Sequence, residues 1–167
     1  MTEQEFTISR VYAAPRPLVF SCFATAEHMS HWWGPKGITI VNAKLDFRPG
    51  GIFHYGMQRP DGGIMWGRFL FREIVAPERI VFINSFSDEH ASLTRAPFFD
   101  GKWPLEMLST FLFDEVEKGK TRFTVKWAPE NATAEEHAVF KSNLASASGG
   151  WTGTLEKLGD YLTTIKS

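Results

Sequence analysis

A long amphipathic stretch near the C-terminus, Thr133 to Ile165, constrains this chain more than any other part of its sequence. Apolar residues recur there at spacings of three and four, as one buried face of an α-helix requires. This apolar stripe consists of Phe140, Leu144, Ala147, Trp151, Leu155, Leu158, Leu162 and Ile165. Charged residues occupy the opposite side, which we expect to face water. They are Lys141, Glu156, Lys157 and Asp160.

The start of this helix is marked by Thr133 and Glu136, which have the spacing of a capping box. A helix of about 30 residues is roughly 45 Å long at ~1.5 Å per residue, which is enough to cross a small domain. The rest of the chain is therefore expected to wrap around this helix.

The composition is that of one globular domain with a sizeable core: 167 residues, 43% hydrophobic and 22% charged. A formal net charge of -1, without a cluster of Lys and Arg, argues against nucleic acid and against an anionic membrane as partners. The chain also has six tryptophans and fifteen phenylalanines. Side chains of this size dominate a core or line an apolar cavity.

Localisation is predicted from the cysteine content and the first residues. The single cysteine, Cys22, excludes an internal disulfide and favours a reducing compartment. Met1 to Glu5 are polar, so we expect neither a signal peptide nor a spanning segment. We predict a cytoplasmic protein, and both a monomer and a homodimer remain open.

Before the long helix, the pattern predicts a first strand, Phe6 to Ala13, and then two short helices. The first helix follows Pro15 and runs to about Ala24, and the second runs from a Thr25 cap through Trp33. Six antiparallel strands come next: Gly37 to Phe47, Ile52 to Gln58, Ile64 to Val75, Arg79 to Phe86, Leu105 to Asp114 and Thr121 to Ala128. The predicted fold is α+β, a curved sheet of about seven strands that grips one helix.

Several short motifs lie along this layout in order, from about Phe6 to Leu162. They are Pro15-Arg16-Pro17-Leu18-Val19-Phe20, Trp32-Trp33-Gly34-Pro35, Arg48-Pro49-Gly50-Gly51, Pro60-Asp61-Gly62, Arg72-Glu73-Ile74 and Gly150-Trp151. Together they resemble the START-like helix-grip (SRPBCC) superfamily, in its branch of activator of heat-shock-ATPase homologues. The resemblance implies a hydrophobic cavity between sheet and helix. The superfamily includes lipid carriers, hormone receptors, polyketide cyclases, resistance proteins and co-chaperone domains.

Polar residues that fall on the apolar phase of a strand are candidates for contacts inside such a cavity. The apolar phases are Phe53, Tyr55 and Met57; Ile80, Phe82, Asn84 and Phe86; Leu105, Met107, Ser109, Phe111 and Phe113; and Phe123, Val125 and Trp127. Tyr55, Asn84 and Ser109 are their polar members. Each is either a ligand contact or a core group bonded to a neighbour or a buried water.

Two further segments bear on the cavity. The small residues from Ala145 to Gly150 leave room beside the helix, which either strand aromatics or a ligand fills, and close packing of a strand is the simpler interpretation. Trp151, at the centre of the stripe, is more simply a core residue. The irregular loop Ser87 to Pro104, with Phe98, Phe99 and Trp103, is interpreted as a lid, an interface or a cover.

The sequence favours binding of a small hydrophobic or aromatic molecule. The predicted ligand-binding residues are Tyr55, Met57, Trp66, Asn84, Trp103, Glu106, Met107, Ser109, Trp127 and Trp151. The resemblance supplies an alternative, a co-chaperone-like interaction domain that stimulates a heat-shock ATPase. We expect the chain to lack the added amino-terminal domain that the eukaryotic activators carry.

A cyclase- or hydrolase-like enzyme is a second alternative. It would use Glu106 as acid or base at the cavity mouth, with Tyr55 or Asn84 polarising a carbonyl. The sequence contains no nucleophile motif and no cofactor fingerprint. His28 and His31, beside Glu27, are too few for a catalytic metal site. We therefore predict no catalytic residue, no metal and no cofactor.

Overall fold

The computed structural model describes residues 5–97 and 99–165 and confirms the predicted α+β helix-grip layout. The elements are β1 (Phe6–Tyr12), α1 (Arg16–Ser21), α2 (Ala26–Trp32), β2 (Thr39–Leu45), β3 (Ile52–Gln58), β4 (Ile64–Val75), β5 (Arg79–Ser87), β6 (Glu106–Glu117), β7 (Lys120–Glu130), α3 (Ala134–Ser142) and α4 (Leu144–Ile165). A single 3₁₀ turn, Phe99–Gly101, lies in the β5–β6 loop.

The strands form one seven-stranded sheet in the order β1-β7-β6-β5-β4-β3-β2. Every neighbouring pair is antiparallel, and β1 pairs with the last strand, β7. Residues paired across antiparallel strands share a face, so the register places Phe53, Phe69, Asn84 and Met107 in one row. We call the face that carries this row, and that α4 covers, the inner face.

The C-terminal helical stretch differs from the prediction, because it is two helices instead of one. The capping box is present: Thr133 Oγ1 accepts from the Glu136 amide, and the Glu136 carboxylate accepts from the Thr133 amide, both at 3.1 Å. The helix is interrupted at Asn143, whose backbone has φ -116° and ψ 21°. The Asn143 side chain donates to the Val139 carbonyl at 2.8 Å. Such local bonds compete with helical ones, as is usual for asparagine.

Phenylalanines fill the gap between sheet and helix at one end. Phe20 and Phe23 contact a group of strand phenylalanines, with ring centroids 5.0 to 5.2 Å apart. We call this cluster the phenylalanine core, and its members are Phe20, Phe23, Phe111, Phe113 and Phe123. Above it, α4 contributes three buried leucines, Leu155, Leu158 and Leu162. The rings meet edge-on or tilted, the arrangement that aromatic quadrupoles favour.

None of the helices within the described ranges combines the length and the hydropathy that a bilayer crossing requires.

Candidate ligand-binding cavity

The other end of the gap between sheet and helix holds a cavity of about 470 Å³. It exists because the first half of α4 presents small residues there, among them Ser146, Ala147 and Gly150. A Cβ built on Gly150 would have no atom within 4 Å. At Gly150 the small run predicted from the sequence therefore borders open space, and among the described residues no strand packs closely there.

Tryptophans form much of the cavity wall. We call Trp33, Trp103, Trp127 and Trp151, four of the six in the chain, the tryptophan wall. Adjacent members lie with ring centroids 5.7 Å (Trp103 to Trp127), 6.0 Å (Trp127 to Trp151) and 5.6 Å (Trp151 to Trp33) apart. These separations are within the range of favourable aromatic pairs, so the rings support one another around the space.

Two polar side chains of the inner face, Tyr55 and Asn84, also line the cavity. The Asn84 amide donates to the Tyr55 hydroxyl at 3.3 Å and to the Arg68 carbonyl at 3.2 Å. Burial raises the pKa of Tyr55 to about 12, while the nearby Trp33 and Asn84 N–H groups act in the opposite direction. The hydroxyl therefore remains protonated at neutral pH and can polarise a carbonyl.

Gly67 makes the position of Tyr55 possible. The two residues are paired across β3 and β4, and a Cβ on Gly67 would lie 2.7 Å from the tyrosine ring. A glycine within a strand often marks such a close approach. Sequence reasoning missed Gly67, and it missed Trp33, whose Trp-Trp-Gly-Pro motif was recognised only as part of a resemblance.

The turn that carries Trp33 is fixed to α4 by Lys157. Its ammonium donates to the carbonyls of Trp33 (3.3 Å), Gly34 (3.2 Å), Pro35 (3.4 Å) and Ile38 (3.4 Å). Lys157 was expected to face water, but it is half-buried, and this burial lowers its pKa. The expectation was wrong because helical periodicity does not reveal that another segment covers the polar side of α4.

The β5–β6 loop closes one end of the cavity through Trp103, which is 9% exposed. Trp103 packs on Phe140 of α3 with ring centroids 5.9 Å apart, and Phe99 stacks on it at 5.7 Å. Arg95 joins the loop to α3 through a 2.6 Å ion pair with Glu136. Phe98, named with these aromatics in the sequence interpretation, lies outside the described residues.

Exposed lining residues mark where the cavity meets solvent: Pro35, Phe99 and Ser146.

The structure brings together most of the predicted ligand-binding residues around the cavity. Those in the lining are Tyr55, Met57, Asn84, Trp103, Met107, Trp127 and Trp151. Their role in binding stays a prediction, because the structure gives only their placement.

Three predicted residues lie elsewhere. Trp66 alternates with Gly67, so it lies on the outer face of the sheet, stacked on His54 at 4.9 Å. Glu106 alternates with Met107 in the same way, and its carboxylate accepts from the Asn131 amide at 3.5 Å. Ser109 is on the inner face but fully buried below the cavity, and its hydroxyl donates to the Met107 carbonyl at 3.3 Å.

The two histidines of α2 contact Tyr161 of α4. Nδ1 of His28 is 2.6 Å from the Tyr161 hydroxyl, and His31 stacks on the same ring at 4.8 Å. Within residues 5–97 and 99–165, no group of three or more His, Cys, Asp or Glu could hold a metal ion. The contacts of both histidines with Tyr161 join α2 to α4.

Comparison with protein families gives a match over most of the chain. The model of the family described as Activator of Hsp90 ATPase homolog 1-like protein matches residues 13–163. No curated protein matches the chain.

Solved structures share the fold at low sequence identity. A Nitrosomonas europaea protein is 22% identical with a TM-score of 0.77, over 99% of this chain and 98% of that one. An Arthrobacter aurescens protein is 24% identical with a TM-score of 0.76, over 98% and 88% of the two chains. The AHSA1 protein of Silicibacter pomeroyi is 17% identical with a TM-score of 0.74, over 96% and 99%. At these identities the likeness is one of fold.

Proposed function

This chain belongs to the Activator of Hsp90 ATPase homolog 1-like family, and we propose that it binds a small hydrophobic or aromatic molecule in the cavity between the sheet and α4. The observation that carries this proposal is a space of about 470 Å³ bounded by the tryptophan wall. Small-molecule sites measure about 300–1,000 Å³ and are mostly apolar, with a few placed polar groups. Tyr55 and Asn84 are such groups here.

Packing energetics support the same function. Protein interiors are close-packed, and atoms that face a void lose dispersion contacts. The phenylalanine core shows that this fold can fill the gap between sheet and helix with its own side chains. A ligand that contacts the tryptophan wall would recover the contacts that the small residues of α4 leave unmade.

The geometry favours binding over the cyclase- or hydrolase-like alternative. Among the described lining residues there is no Asp, Glu or His, the side chains that most often act as general acid or base. Glu106, the predicted acid or base, belongs to the strand phase opposite Met107 and is absent from that lining. Tyr55 and Asn84 can orient a carbonyl, but orientation alone does not supply a proton transfer.

The co-chaperone alternative is a protein-interaction role, and a combined experiment separates it from ligand binding. Native mass spectrometry of the protein purified from its own organism should show a retained small molecule. The same preparation, once stripped of ligand, should show quenching of tryptophan fluorescence when an apolar aromatic compound is added. Stoichiometric recovery of a heat-shock chaperone, with neither a retained molecule nor quenching, would instead support the interaction role.

A further inference from the structure

Two members of the tryptophan wall have an indole N–H without a partner. Nε1 of Trp33 and Nε1 of Trp127 are buried, and neither makes a hydrogen bond within the described protein. Both side chains line the cavity, and both rings are neighbours of Trp151. Trp32 provides a contrast, because its indole N–H donates to the Cys22 carbonyl at 3.0 Å. In Trp32, which directly precedes Trp33 in the chain, the indole N–H thus has an acceptor within the protein.

An indole nitrogen can only donate, so the unmet requirement at these two sites is for an acceptor. Leaving a buried donor unpaired is unfavourable, and the large majority of buried polar side-chain atoms in proteins are paired. The Trp33 N–H approaches the Tyr55 hydroxyl without forming a well-aligned bond. That hydroxyl already accepts from Asn84. An acceptor oxygen placed in the cavity could take hydrogen bonds from the Trp33 N–H, the Tyr55 O–H and the Trp127 N–H.

Ser85, which also borders the cavity, has a third buried polar atom without a partner in the described protein, its Oγ, and a hydroxyl can both donate and accept. Ser85 alternates with Asn84 along β5, and Asn84 is on the inner face, so the Ser85 side chain is directed to the other face.

The lining also indicates the charge of the ligand. No described lining residue is Asp, Glu, Lys, Arg or His. Cations on the bordering segments already have partners: Arg95 pairs with Glu136, Lys102 pairs with Glu135, and Lys157 donates to four carbonyls. A charged group in this cavity would lose its hydration without gaining a counter-ion, which is strongly unfavourable.

Resting on the proposed function, we infer that the ligand is a neutral aromatic molecule with at least one acceptor oxygen, such as a ketone, and that the indole N–H groups of Trp33 and Trp127 recognise that oxygen. The tryptophan rings select for aromatic surface, and the two N–H groups select among aromatic molecules for those that can accept. Anionic amphiphiles are excluded by the absence of a counter-charge in the described lining.

Three compounds that share one ring system test this inference. They are 9-fluorenone, which has an acceptor oxygen; fluorene, which has a methylene instead; and 9-oxofluorene-2-carboxylate, which adds a negative charge. Dissociation constants are measured by quenching of tryptophan fluorescence. We expect fluorenone to bind about two- to tenfold more tightly than fluorene, the range of one net hydrogen bond. The carboxylate should bind at least about tenfold more weakly than fluorenone.

Variants locate the donors. Trp33→Phe and Trp127→Phe keep an aromatic ring but remove the N–H. The smaller ring weakens contact with both compounds, so the readout is the ratio of their dissociation constants, and each variant should reduce the preference for fluorenone over fluorene. Trp66→Phe is the matched control, since Trp66 lies on the outer face, and it should keep the full preference. Circular dichroism and thermal unfolding confirm that each variant is folded.

A measurement on the wild-type protein keeps the inference testable if a variant does not fold. The measurement is ¹⁵N-edited NMR of the indole N–H groups of the six tryptophans. Fluorenone should move the signals of Trp33 and Trp127 further than fluorene does, whereas Trp66 should respond equally to both. Equal affinities for fluorenone and fluorene with equal shifts would overturn the inference and leave the proposed function standing. If neither compound binds up to its solubility limit, the proposed function fails, and the inference fails with it.

Discussion

Both ends of the interface between sheet and α4 are rich in aromatic residues, but one end is filled and the other encloses a cavity. At one end the phenylalanine core and the leucines of α4 exclude space, with Phe123 and Leu158 at 0% exposure. At the other end the tryptophan wall faces Ser146, Ala147 and Gly150 across a cavity of about 470 Å³. The sheet supplies aromatic residues to both ends. The difference arises from the helix, whose second half carries large side chains and whose first half carries small ones.

The comparison teaches that aromatic content alone does not distinguish a core from a cavity. What distinguishes them here is the residue on the facing helix, together with the choice of aromatic residue. Phenylalanine has no polar atom and can be enclosed on every side without an unmet hydrogen bond. Tryptophan presents an N–H, and the two buried indole N–H groups without a partner in the described structure, those of Trp33 and Trp127, both lie at the open end.

The largest expected effect comes from truncating a side chain at the filled end. Phe113→Ala should lower the free energy of unfolding by about 3–5 kcal/mol, because it creates a void in close-packed surroundings. Met107→Ala should cost less than Phe113→Ala, since Met107 already borders open space. Urea denaturation of both variants measures the difference. Equal losses would show that the cavity end is packed as tightly as the core and would remove the contrast.

The same contrast explains which features of the fold and the cavity could be predicted from the sequence. The order of elements and the inner phases of β3, β5, β6 and β7 follow from hydrophobic periodicity, because one face of each strand is buried. From those phases, Tyr55 and Asn84 were predicted to lie on the inner face, where the register places them. The placement of Trp66 was wrong because β4 carries aromatic residues on both phases. The deciding fact is that the Tyr55 ring covers Gly67, which is a tertiary contact.

Other features depend on segments distant in sequence and could not be derived from local pattern. The break at Asn143 falls inside a continuous apolar stripe, so periodicity gave no sign of it. The position of Lys157 depends on carbonyls more than 100 residues away, and its separation from Ile38 is 119 residues. The unpaired indole groups emerge only when every potential acceptor has been placed in space.

The second prediction fills the cavity from the helix side. Ala147→Leu places a larger apolar side chain into the space that Ala147 borders, so ligand affinity should fall at least about tenfold, or ~1.4 kcal/mol. Stability should be unchanged or slightly higher, because the new side chain gains contacts. Ala145→Leu is the matched control on the same small run; Ala145 is exposed, and binding should not change. Unaltered affinity for 9-fluorenone in Ala147→Leu would place the binding site elsewhere.

The smallest effect concerns the loop at the open end, which we predict to gate the cavity. Arg95 pairs with Glu136, whose side chain is 9% exposed, whereas the Lys102–Glu135 pair is more open, at 48% and 64%. A partly buried, hydrogen-bonded pair holds its segments more firmly than an exposed one. Arg95→Gln should therefore loosen the loop, raising both the association and dissociation rates of 9-fluorenone about two- to fivefold. The dissociation constant should hardly change, since opening affects entry and exit alike.

Stopped-flow quenching of tryptophan fluorescence measures both rates, and Lys102→Gln is the control because it removes the exposed pair from the same loop. Its rates should match those of the wild-type protein. The stability of Arg95→Gln should fall by about 1 kcal/mol, because the Glu136 carboxylate, 9% exposed, loses its charged partner but still accepts from the Thr133 amide. If Arg95→Gln lost stability while both rates stayed at wild-type values, the loop would be structural cover. Ligand would then enter where Pro35 and Ser146 are exposed.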